Sequence, residues 1–231
     1  MIFVNIFPSV GGLNRRKHGF ALCILPLMGI AGCNSSQPMP KIPPAPLLSQ
    51  KQSHLPLSLK LKPEIAKLME SVRLQTTITK SYDQSYRRIA YPMGDVPMNT
   101  GVCTDVVIRA FRAAGVDLQE LVHIDMKGNI AAYPRKWGSR APDTNIDHRR
   151  VPNLETFFKR SHCSLPISMK VKDFLPGDIV SWQLGSLTHI GIVTEMKSSS
   201  GTPLIAHNIG SGTKIEDILF SLKQRGHFRW F

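Results

Sequence analysis

Three polar side chains in this 231-residue sequence have the types and settings for nucleophilic chemistry. Cys103 lies in Thr100-Gly101-Val102-Cys103-Thr104-Asp105, and the apolar residues Val106, Val107, Ala110, Phe111 and Ala114 recur behind it at helical spacing. With Asn99 and Thr100 as N-cap residues and Gly115 as the stop, the pattern predicts an amphipathic helix with Cys103 in its first turn. The dipole and free N–H groups at a helix start favour a thiolate, so Cys103 is expected to be a nucleophile of lowered pKa. A thiol nucleophile needs a base, and the base needs a third group that fixes its tautomer. His189 opens the apolar run His189-Ile190-Gly191-Ile192-Val193, and His207 ends Leu204-Ile205-Ala206-His207, with Asn208 as the alternative third member. Successive strand residues face opposite ways, so only one of His207 and Asn208 can reach His189.

These residues need a scaffold that brings distant segments together. Pro63 starts a helical pattern through Ile65, Leu68, Met69 and Val72, so the folded domain is expected to span residues 61–231. The turn-rich stretch Tyr91-Pro92-Met93-Gly94 leads toward the cysteine helix, and Tyr91 is a candidate wall of a substrate cleft. After Asp117-Leu118-Gln119-Glu120 comes a long irregular region from Gly128 to Val151, of the kind that usually serves a function or stays disordered. At its end Asn145-Ile146-Asp147-His148-Arg149-Arg150 packs charge too densely for a core. It reads either as a solvated loop or as a clamp for a substrate anion, with Asp147, His148, Arg149 and Arg150 as candidate contacts beside Asp105. Leu154, Phe157 and Phe158 indicate a short helix ending before Cys163. The last third holds short β-type runs divided by Gly, Ser and Thr, with a helix expected over Ile215–Phe220 and a closing strand over His227–Trp230. Helices first and sheet afterwards make an α+β domain with the nucleophile helix packed on a small antiparallel sheet.

The charge narrows the partners. Lys and Arg number 29 against 16 Asp and Glu, a formal net charge of +13 with a pI near 9.9. Such a surface suits an acidic polymer, nucleic acid or anionic lipid. Near the start, Arg15-Arg16-Lys17 precede the apolar run Phe20–Ile30 and then Ala31-Gly32-Cys33, the layout of a secretory signal. The run is shorter than the roughly twenty residues a membrane span needs. Ile30-Ala31-Gly32-Cys33 resembles a bacterial lipobox, which makes residues 1–32 a lipoprotein signal peptide and Cys33 the lipidated residue of an exported, periplasm-facing protein. Asn34 in place of an aspartate favours the outer membrane among such lipoproteins. Residues 33–60, rich in Pro, Ser and Gln, read as an extended tether. Loss of the leader leaves Cys103 and Cys163 as thiols, and in an oxidising compartment a bridge between them is the main alternative to a nucleophile. No Cys-x-x-Cys or His-x-x-x-His pair is present, so neither a metal nor any other cofactor is expected, and no nucleic-acid recognition motif is found.

Pro176-Gly177-Asp178-Ile179-Val180, His189-Ile190-Gly191-Ile192-Val193 and Ile205-Ala206-His207 resemble the successive signatures of NlpC-type papain-like cell-wall peptidases. Together with Gly101–Val107, Asn145–Leu154 and His207-Asn208-Ile209-Gly210, they closely resemble a bacterial envelope family, domain of unknown function 1287, from about Tyr82 to the end. The resemblance implies a papain-like α+β fold with Cys103 as nucleophile, His189 as base and His207 as third member. It implies a cysteine amidase or endopeptidase acting on peptidoglycan or its peptide fragments; a monomer is expected. The sequence departs from the NlpC pattern around the cysteine, where Val102 and Thr104 replace the usual aspartate and serine. An acyltransferase using the same Cys-His site, or a non-catalytic envelope module that binds peptidoglycan or a protein partner, would retain the same fold.

Overall fold

The computed structural model describes residues 61–138 and 141–231. The expected leader, the lipidated Cys33 and the tether lie outside the described residues. Helix α1, Pro63–Ile78, starts with Pro63 in its first turn, where a missing N–H costs nothing, and buries Leu68, Met69 and Val72. Strands β1, Ser81–Tyr82, and β2, Thr100–Gly101, pair in parallel, Tyr82 opposite Gly101. This pairing corrects the expected cap. Thr100 is drawn into extended structure, so helix α2, Cys103–Ala113, is capped at Val102, whose N–H is held by the Asp105 carboxylate at 2.7 Å. Helix α2 ends in a Schellman motif, with Gly115 at φ +89° and Val116 N–H bonded to Phe111 C=O at 2.9 Å.

Helices α3, Leu118–Asn129, and α4, Val151–Arg160, flank a loop that closes with a 3₁₀ turn, Asp147–Arg149. The remaining strands are β3, Ser164–Leu165, β4, Ile179–Leu184, β5, Leu187–Lys197, β6, Pro203–Asn208, β7, Thr213–Glu216, and β8, Lys223–Phe228. They form one sheet in the order β3-β8-β4-β5-β6-β7, every neighbouring pair antiparallel. The helix expected over Ile215–Phe220 is absent. Thr213–Glu216 instead pairs with β6, Asn208 opposite Thr213 and Ile205 opposite Glu216, because the ladder that satisfies the free side of β6 outweighs a short run's local preference.

Strand alternation gives the sheet two buried faces. Ile179, Ile190, Ile192, Ala206 and Phe228 pack with α2, α4 and α1 in the larger core, which includes Cys103, Val106, Val107, Phe111, Leu154 and Phe158. Val180, Trp182, Val193 and Ile205 turn to the other side, where Phe174 and Leu219 cover them. Full burial of Val107 and Phe111 contributes about 1.5–3 kcal/mol each, so α2 is anchored by its far end while Cys103 stands at the rim of the sheet.

Candidate active site

Cys103 is the first residue of α2 and forms part of the wall of an open cleft of about 380 Å³, shared with Tyr82, Trp137, Arg150, Leu187 and Thr188. The residue itself is only 4% exposed. Burial pushes the thiol up to about 11, opposed by hydrogen bonds from the backbone N–H of Ile190, Thr104 and Cys103 and reinforced by the Asp105 charge. The expectation of a lowered pKa is thereby corrected. The helix start does supply its N–H groups, but removal from water outweighs them, and the nearest helix-borne charge is a carboxylate. Tyr82 lines the same cleft, and burial, with the neighbouring Cys103 adding to it, raises its own pKa.

His189 sits on β5 opposite Trp182, their rings stacked with centroids 5.9 Å apart. Its Nε2 lies 3.1 Å from His207 Nδ1, the two rings edge to face. This approach requires Gly191. A Cβ there would stand 2.6 Å from Ile205 Cγ2, 2.9 Å from the Ala206 carbonyl oxygen and 3.3 Å from His207 Cβ. On its far side His207 Nε2 lies 3.0 Å from Glu216 Oε2, a charge contact poorly aligned as a hydrogen bond. A carboxylate only accepts, so Glu216 faces His207 Nε2 as an acceptor, and His189 Nε2 and His207 Nδ1 share one hydrogen bond whose donor is set by the tautomer. Burial, with His207 adding to it, pushes His189 down to about 3. Burial likewise lowers His207, with Glu216 pulling the other way.

The geometry separates the two alternatives for the third group. His207 meets His189, whereas Asn208 faces the α2 side and donates to the carbonyls of Ser81 at 3.1 Å and Gly101 at 3.0 Å. Asn208 thus ties β1 and β2 to the sheet just before the cysteine. The thiol meets β5 at the Ile190 N–H, one residue from His189, while the His189 ring leaves the strand on the Trp182 side. The groups that bear on the sulfur are backbone donors, Tyr82 and Asp105 rather than an imidazole.

The charged segment before α4 is not a solvated loop. Asp147, His148 and Arg149 are all buried, the charges of Asp147 and Arg149 each having a fixed partner inside the domain. Arg149 donates Nε and Nη2 to Asp105 at 2.9 and 3.0 Å, and its remaining N–H groups reach the carbonyls of Ser85 and Asp83. Both members of this pair are at most 3% exposed, so Asp105 and Arg149 brace the cleft floor. Asp147 accepts the Asp143 N–H and pairs with Arg150, and burial raises its pKa. His148 is driven down to about 3 by burial, with Arg112 and Arg149 adding to the effect. Of the six expected contacts only Arg149 and Arg150 border the cleft; Tyr91 stands apart, edge-packed on His123 at 5.0 Å.

Cys103 and Cys163 are both free thiols, and Cys163 donates to the Ser161 carbonyl. Tyr82 and Glu216 went unmarked in the sequence. Tyr82 is placed by β1–β2 pairing across a long loop, and Glu216 lies where a helix was expected. Among the described residues, no group of three or more His, Cys, Asp or Glu is placed to hold a metal ion.

Comparisons with known proteins place the chain. A solved structure titled "Structure of NlpC1 from Trichomonas vaginalis" aligns with 71% of this chain at 13% identity and a TM-score of 0.36. The alignment spans 44% of that chain, less than half its length. The "Uncharacterized protein YijF" of Escherichia coli (strain K12) is 45% identical over 212 residues, which cover 91% of this chain and 98% of that protein. The model of the family described as Domain of unknown function (DUF1287) matches residues 69–230, most of the chain and every residue of the cleft and the histidine pair, and the protein belongs to that family.

Proposed function

We propose that the protein is a papain-like cysteine hydrolase of the bacterial cell envelope that cleaves an amide bond in peptidoglycan peptides. The observation that carries this is a thiol at a helix start that borders an open cleft and meets β5 at Ile190, one residue from His189, whose ring faces the other side of the sheet toward His207. Substrate enters beside Tyr82 and Thr188, and Cys103 Sγ attacks its carbonyl carbon. The thiol proton must pass to a base as the S–C bond forms, because a thiol held near 11 does not ionise beforehand at neutral pH; for His189 to serve, its ring must turn from the Trp182 face of the sheet toward Sγ. The Cys103 N–H at the start of α2 and the Tyr82 hydroxyl are the donors available to the oxyanion. His189 then gives its proton to the leaving amine as the C–N bond breaks, and water attacks the thioester with His189 as base. Export, lipidation at Cys33 and an outer-membrane position belong to the same proposal and rest on the leader sequence.

The test is digestion of purified peptidoglycan by the wild type, Cys103→Ala and His189→Ala, with fragments weighed by mass spectrometry. New peptide fragments from the wild type alone support a cysteine-dependent hydrolase, and their masses name the bond. A non-catalytic module that binds peptidoglycan is the second reading, favoured by the buried, un-ionised thiol. It predicts sedimentation with the polymer that is unchanged in Cys103→Ala.

A further inference from the structure

The charges bordering the thiol cleft are of one sign: Arg149 and Arg150 line it, and among the described residues no acidic side chain does. The two arginines differ in what they have left to offer. Arg149 is spent on Asp105 and on two backbone carbonyls. Arg150 binds Asp147 through Nη1 at 3.0 Å, and its Cζ stands over the Trp137 ring, 4.3 Å from the centroid. Among the described residues its Nε and Nη2 have no protein acceptor, and the side chain keeps 17% exposure at the cleft. A guanidinium held on an aromatic face by a buried carboxylate is a rigid fork, and a planar fork with two unused donors fits a carboxylate. The Asp147 contact fixes the fork without using up those donors.

We infer that Arg150, seated on Trp137, is the specificity residue of the cleft, selecting substrates that carry a carboxylate close to the bond Cys103 attacks. This rests on the reading of Cys103 as the nucleophile. It narrows the substrate to acidic peptides, whose carboxylate side Arg150 grips while the thiol meets the neighbouring carbonyl.

Two small probes separate this claim from the broader one. Iodoacetate and iodoacetamide alkylate the same sulfur and differ in one carboxylate, so the ratio of their rates at Cys103, read by mass spectrometry of the Cys103 peptide, reports the anion preference. With one charge-assisted contact at stake, the iodoacetate-to-iodoacetamide ratio is expected to fall about tenfold in Arg150→Gln. It should fall less in Arg150→Lys, which keeps the charge and loses the fork, and in the wild type it should decline as salt rises. The wild-type salt series guards against a variant that folds poorly. A ratio indifferent to both substitution and salt, with Cys103 still alkylated, overturns the carboxylate selection and leaves the nucleophile standing. A Cys103 inert to both reagents, even at alkaline pH, overturns the two together.

Discussion

Asp105 is a sharp test of what holds the cleft together. Its carboxylate accepts three hydrogen bonds at once: Val102 N–H at 2.7 Å, Arg149 Nε at 2.9 Å and Arg149 Nη2 at 3.0 Å. Asp105→Ala removes the group that holds the Val102 N–H at the start of α2, worth about 1 kcal/mol as a helix cap. It also leaves the Arg149 guanidinium, 2% exposed, without its counter-charge. Breaking a buried pair from one side costs about 3–5 kcal/mol, so the expected loss is roughly 4–6 kcal/mol, a large share of a domain's total. For a domain of this size that lowers Tm by about 10–20 °C. Urea and thermal unfolding, followed by circular dichroism, measure it. Replacing both partners by apolar residues, Asp105→Leu with Arg149→Met, is expected to recover part of the loss, because no unpaired charge then remains. A loss below about 1 kcal/mol in Asp105→Ala, or a double variant weaker than the single one, would refute the bracing role and return these residues to the list of substrate contacts.

Other expectations follow from the same geometry. Alkylation of Cys103 by iodoacetamide should rise with pH toward about 11, without an inflection near neutrality; a plateau reached by pH 8 would show a thiolate formed earlier than burial allows. His148 and His189 are driven down to about 3, so the folded state binds fewer protons than the unfolded chain. Their stabilising contribution is present above the ordinary imidazole range and is lost as pH falls toward 3, which urea midpoints measured from pH 7 downward will read. Gly191→Ala drives a methyl into Ile205 and the Ala206 carbonyl and should cost about 1–3 kcal/mol in chemical denaturation; a neutral effect would mean the strands separate freely there. Glu216→Gln leaves His207 without its carboxylate and should lower the rate of peptide cleavage while binding of the substrate holds, a split between kcat and KM that steady-state kinetics can show.

Much of the scaffold was legible because it rests on local patterns. Pro63, the helical apolar rows and Gly115 mark α1 and α2, and the runs at Ile179–Trp182 and His189–Val193 alternate or stay apolar as buried strands do. What failed to show was set by distant partners. Thr100 has the chemistry of a cap, yet the parallel pairing with Ser81 claims it. Ile215 and Glu216 lie in a stretch with an apolar helical rhythm, yet the edge of β6 takes them as a strand. The dense charge of Asp147, His148 and Arg149 argues for a surface until Asp105, 44 residues away from Arg149, supplies the counter-charge that lets the segment sink.

The same distinction governs the chemistry. That a cysteine opens a helix is visible in the sequence, and so is the N–H cluster it brings. The sign of its pKa shift is not, because it depends on how much water the cleft admits to Sγ and on Asp105, which serves the helix cap and Arg149 rather than the thiol. A free sulfur held un-ionised at neutral pH does not attack as a thiolate formed beforehand, so in the proposed reaction its proton moves in the step that forms the bond to carbon. For such a site the third group matters through direction more than charge. His189 Nε2 and His207 Nδ1 hold the two rings in a fixed relation, and Glu216 stands at the far nitrogen of His207. A carboxylate on β7 therefore bears on His207, and through it on His189, from the face of the sheet opposite the thiol.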